Sequence, residues 1–144
     1  MRILNKQLIL QNDIEQITLL ADFINTIAEE AGIEDPSLCI SLNLALEEAV
    51  TNAVLYAYPE GESGEVKIEA MCKDELLTFV ISDEGVSFDP TSKEDADITL
   101  SAEERPIGGL GIFLVKQLMD SVDYQRVEGR NILTLSKRIP SETN

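Results

Sequence analysis

A chain of 144 residues has the length of one domain and can bury a core without help from disulfides or metals, and 44% hydrophobic against 26% charged residues excludes a disordered chain. Its 27 acidic and 11 basic side chains leave a net charge of −16, which argues against direct binding to nucleic acid or an anionic membrane surface and repels phosphate. Histidine is absent, which removes a histidine general base, a Ser-His-Asp triad, a Cys-His zinc site and phosphohistidine.

Cys39 and Cys72 lie in apolar patterns and read as reduced thiols in or near the core. The start, Met1 to Lys6, lacks the apolar stretch of a secretory signal, and no uncharged run reaches the ~18 residues of a spanning helix, so a cytoplasmic location is expected.

Residues 2–10 are rich in Ile and Leu and read as an opening strand. Asn12 or Asp13 can cap a helix whose Ile14, Ile17, Leu20, Ala21, Phe23, Ile24 and Ile27 recur at helical spacing, with Gly32 as its stop. Asp35-Pro36 starts a long helix to about Tyr58, closed by Pro59 and the glycines that follow. Residues 65–72 and 76–82 read as an antiparallel hairpin around Lys73-Asp74-Glu75. Periodicity is lost from Asp83 to Arg105. It returns in a short helix, Ile112 to Met119, and a final strand pair, 122–127 and 131–139. The simplest layout is α+β: one mixed, mostly antiparallel sheet with its helices on one face, in a single domain over 1–144.

Three places allow a functional reading beside a purely structural one. On the long helix, Glu48 and Asn52 fall one turn apart on the border of the arc holding Leu42, Ala45, Ala49 and Ala53, whereas Glu47 points to water. They are either a solvated edge pair or the lining of a cleft, in which Asn52 could give Mg²⁺ an oxygen and Glu48 could accept a proton. Asp83 closes a strand and Gly85 follows two residues later; this is a simple strand end and turn, or a carboxylate able to accept from the exocyclic amine of adenine while Gly85 lets the base approach. Gly108-Gly109-Leu110-Gly111 before the short helix is a tight cap, or a nest of N–H groups for phosphate.

In this order, Glu48-Ala49-Val50-Thr51-Asn52-Ala53, Asp83-Glu84-Gly85-Val86-Ser87-Phe88-Asp89, and Gly109-Leu110-Gly111-Ile112 followed by Leu118-Met119-Asp120 resemble the Bergerat-fold ATPases. Among these, the small bacterial anti-sigma factor serine-protein kinases are the nearest resemblance, and length, element order and the Asn131 to Leu135 strand extend it over nearly the whole chain.

The resemblance implies a Bergerat-type two-layer sandwich that binds ATP and Mg²⁺. Glu48 would be the general base, Asn52 the magnesium ligand, Asp83 the adenine-reading carboxylate, and Gly108, Gly109, Leu110 and Gly111 the phosphate-binding hinge of a lid spanning about 86–107. Thr134 would stand near adenine and Arg105 near the γ-phosphate. The chain departs from the pattern at Tyr56, where many relatives have histidine, and at Ser87, where Asp-x-Gly-x-Gly has its second glycine. The implied activity is phosphorylation of a serine or threonine on a small anti-anti-sigma partner, alternating with capture of a sigma factor, with a homodimer as the common assembly. A nucleotide-binding regulatory protein with little phosphotransfer is the alternative.

Overall fold

The computed structural model describes residues 4–59, 61–87, 89 and 109–139. In chain order they form β1 (Leu4–Gln11), a 3₁₀ turn (Ile14–Ile17), α1 (Thr18–Glu30), α2 (Pro36–Tyr56), β2 (Glu65–Lys73), β3 (Leu76–Asp83), α3 (Gly109–Leu118), β4 (Ser121–Val127) and β5 (Arg130–Arg138). The five strands make one sheet in the order β1-β2-β3-β5-β4. Every neighbouring pair is antiparallel, so the expected mixed sheet is corrected to a fully antiparallel one.

Local chemistry accounts for most boundaries. Asp13 accepts from Glu15 N at 3.0 Å and starts the 3₁₀ turn, which the sequence reading had merged with α1. At the end of α1, Gly32 takes φ 79° while Gly32 N bonds Glu29 O and Ile33 N bonds Ala28 O, the paired bonds of a Schellman stop. Asp35 accepts from Ser37 N at 2.9 Å and Pro36 opens α2 with its φ already set.

Both hairpins turn in two residues, because Lys73 and Arg130 are paired in their strands. Glu128-Gly129 (φ 47° and 80°) and Asp74-Glu75 (φ 53° and 68°) bend in the left-handed sense that suits strand twist.

The core lies between one face of the sheet and the helices. Leu10, Val66, Ile68, Ala70, Leu77, Phe79 and Leu135 alternate onto that face, and Ile24, Ile27, Leu42, Leu46, Val50 and Val115 meet them. Each large buried side chain contributes about 1.5–3 kcal/mol of apolar transfer. Cys72 is buried in this layer and Cys39 is half-buried on α2; both are free thiols. Alone among the described residues, α2 has the length and mean hydropathy of a membrane span, yet its buried residues form the centre of this core and Glu47-Glu48 interrupt it.

Candidate functional site

Where α2 crosses the end of β3, the apolar core gives way to polar side chains. Asn52, Asp83 and Asn131 are only 5%, 6% and 6% exposed, and with Ala49, Ala53 and Leu133 they wall a cavity of about 30 Å³. That is room for one or two waters. α2 supplies Asn52 through the helical spacing read from the sequence, β3 supplies Asp83 from its last position, and β5 supplies Asn131 opposite Asp83 in the register.

Asp83 Oδ1 accepts from Gly85 N at 2.8 Å and from Asn131 Nδ2 at 2.9 Å. Oδ2 makes no hydrogen bond among the described residues. Burial pushes the Asp83 carboxyl above the usual carboxylate range; the bonds from Asn131 and Gly85 and the nearby Arg126 and Arg130 oppose it. A buried carboxylate at the wall of a largely apolar cavity, with one oxygen fixed and the other unengaged by the described residues, is the chemistry a ligand amine requires.

The sequence places Asn131 only at the start of the last strand and assigns it no role in the site. Its Nδ2 also donates to Val86 O at 2.7 Å, while its Oδ1 accepts from Tyr124 OH at 2.5 Å and Arg126 Nη1 at 3.1 Å. Arg126 Nη1 also donates to Gly85 O at 2.8 Å.

Glu48 is half-buried one turn before Asn52, about 6 Å along the axis. It lines a second space, a groove of about 500 Å³ walled by Ile14 and Ile17 of the 3₁₀ turn, Thr18 of α1, and Asn43, Glu47 and Thr51 of α2. The helix thus presents Asn52 to the inner cavity and Glu48 to an open groove beside it.

The remaining expectations divide. Gly109, Leu110 and Gly111 form the first turn of α3 rather than a loop ahead of it. That placement keeps the chemistry available, because the first four N–H groups of a helix have no acceptor within it. Arg105, Gly108 and all of the expected lid except Val86, Ser87 and Asp89 lie outside the described residues. Val86 is tied down at both ends, its N–H to Ala57 O at 2.7 Å and its carbonyl to Asn131, so it belongs to the fixed frame.

Position bears on three further residues and moves Thr134 away from the cavity. Thr134 pairs with Val80 and Asp123, one register step off the Asn131, Leu133 and Leu135 set, and so stands on the sheet face opposite the cavity. At Gly85 the end of α2 alone demands a glycine: a Cβ there would lie 2.0 Å from Ala57 O. Ser87 has no positive φ, so a serine fits the loop without strain. Gly85→Ala is expected to destabilise the fold by about 2 kcal/mol or more, since the clash is with backbone and also breaks the Val86–Ala57 bond; chemical denaturation measures it.

Among the described residues no group of three or more Asp, Glu or Cys could hold a metal by itself. Asn52 offers one neutral oxygen, which suits an ion whose other ligands come from phosphates and water.

Residues 10–137 match the histidine kinase-like ATPase domain family. The chain is 35% identical over 123 residues to the serine-protein kinase RsbW of Listeria monocytogenes serovar 1/2a, covering 83% of this chain and 78% of that protein. It is 34% identical over 123 residues to the RsbW of Listeria innocua, again covering 83% and 78%. It is 38% identical over 93 residues to the RsbW of Bacillus subtilis, covering 61% and 58%.

Proposed function

Since the chain belongs to the histidine kinase-like ATPase domain family, alongside the serine-protein kinases RsbW, we propose that it is an ATP-dependent protein-serine/threonine kinase and anti-sigma factor acting on a small anti-anti-sigma protein in the cytoplasm. The observation that carries this reading is the meeting of Asn52 and Asp83 around one buried cavity, with Asp83 Oδ2 unengaged by the described residues and Glu48 one helical turn away.

The adenine amine donates to Asp83 Oδ2, and base entry widens the cavity, which now holds only water-sized room. Asn52 contributes its amide oxygen to Mg²⁺, which neutralises the phosphates and supplies charge stabilisation when bound. The N–H groups of Gly109, Leu110 and Gly111 are donors for phosphate oxygens, a need made sharper by the net charge of −16. Arg105 assists at the terminal phosphate. Glu48 takes the proton of the acceptor hydroxyl, which enters from the groove side.

The test is transfer of labelled γ-phosphate to a small anti-anti-sigma protein captured with this chain from its native cell extract, run with sigma-factor binding in the presence and absence of Mg-ATP. Binding without transfer would favour the regulatory alternative. Asn52→Ala should weaken Mg-dependent ATP binding about tenfold or more while nucleotide binding in excess chelator changes little. Equal losses with and without Mg²⁺ would take the metal away from Asn52.

A further inference from the structure

Asn131 walls the cavity, and both ends of its amide are engaged by the protein: Nδ2 by Asp83 and Val86, Oδ1 by Tyr124 and Arg126. Arg126 has donors and no acceptor, so its bond fixes Asn131 Oδ1 on that side and directs Nδ2 toward Asp83 and Val86. A reversed amide would set two donors against the guanidinium and an oxygen against a carboxylate. Both faces of the amide are therefore specified, by β4 on one side and by β3 and its following loop on the other.

The consequence falls on Asp83. Its Oδ1 is held by Asn131 and Gly85, which restrains the carboxylate at the cavity wall and leaves Oδ2 without a hydrogen bond among the described residues. Arg126 grips the carbonyl of Gly85, and Asn131 grips that of Val86, so the same network holds the loop that leaves β3.

We propose that Asn131 is the positioning residue of the base-reading site: it orients Asp83 so that Oδ2 meets an exocyclic amine, and so sets the preference for adenine. This rests on the reading of Asp83 as the adenine acceptor.

A protonated Asp83 could not accept through the same oxygen, so recognition needs the ionised form. Among the described residues, the charged and titratable groups near Asp83 are Arg126 and Tyr124 of β4, Arg130 of β5, Tyr58 after α2, and Glu84. Of the neighbours that favour the ionised form, Asn131 acts by direct hydrogen bond. Its removal should move the acid limb of ATP binding to higher pH.

The experiment measures the affinity of the full chain for Mg-ATP and for purine riboside triphosphate, which lacks the amine, across pH. It compares the parent with Asn131→Ala, Asp83→Asn and the double variant. The expected result is an about tenfold loss for ATP in Asn131→Ala, little change for the analogue, an acid limb shifted upward, and no further loss when Asp83 is already Asn. Asn131→Asp keeps the shape but sets an acceptor against Asp83, and it repeats the selective loss if the alanine variant does not fold. Equal losses for both nucleotides, or an undiminished Asn131 effect in the Asp83→Asn background, would reduce Asn131 to packing. An Asp83→Asn variant that keeps the parent preference for ATP over the analogue would instead overturn the adenine reading, and the role of Asn131 with it.

Discussion

Glu48→Gln lowers phosphoryl transfer to the protein acceptor roughly 10²- to 10⁴-fold while Mg-ATP affinity stays near that of the parent. Glutamine keeps the volume and one acceptor oxygen of glutamate but cannot take up a proton. Glu48 lines the groove beside the inner cavity, not the cavity that Asp83 and Asn52 wall, so nucleotide contacts survive the change. Single-turnover transfer from preloaded ATP isolates the chemical step, and equilibrium binding checks that the nucleotide site is intact. A variant that transfers at the parent rate would remove Glu48 from the proton path. A variant that loses ATP binding as well would make Glu48 part of the nucleotide site and not the base.

The separation of these two spaces follows from a helix whose faces are set by spacing. Four residues carry the helix just past one turn, so Glu48 and Asn52 lie in one column yet differ in depth, one half-buried and the other 5% exposed. A shift of one residue toward the C-terminus would not serve, because Ala49 and Ala53 carry no side-chain oxygen.

That column was legible in the sequence because helical spacing is local. So were the caps, since Asp13, Asp35 and Gly32 act within three residues of themselves. Asn131 was not legible, because its partner Asp83 lies 48 residues away and only the β3–β5 register brings them together. Thr134 shows the opposite failing. Leu133 and Leu135 mark the inward parity of their strand, so an outward Thr134 could have been read from Asn-Ile-Leu-Thr-Leu, had alternation been weighed above motif position. The role of Gly85 depends on how closely Ala57 approaches, a tertiary contact with no local trace. Strand direction was readable only within the two hairpins; the antiparallel β1–β2 and β3–β5 pairs needed the fold.

Asp83→Asn should weaken ATP binding about ten- to a hundredfold and leave the fold at least as stable near neutral pH. The affinity loss comes from replacing the acceptor Oδ2 with an N–H that meets the adenine amine donor to donor, a mismatch of about 1–3 kcal/mol in a buried site. GTP carries a carbonyl where ATP carries the amine, so the preference between them should narrow. Stability moves the other way. Burial raises the folded-state pKa of Asp83 above its unfolded value, so the folded state holds the proton more tightly, and stability falls as pH rises from the unfolded to the folded pKa. Asparagine removes that loss while its oxygen still accepts from Gly85 and Asn131, offset in part by the charge that Arg126 and Arg130 no longer face. The stability gap between variant and parent should therefore open as pH rises through that window and close toward acid, as urea midpoints across pH will register. A stabilised variant that binds ATP as tightly as the parent would mean that the buried carboxylate does not read the base.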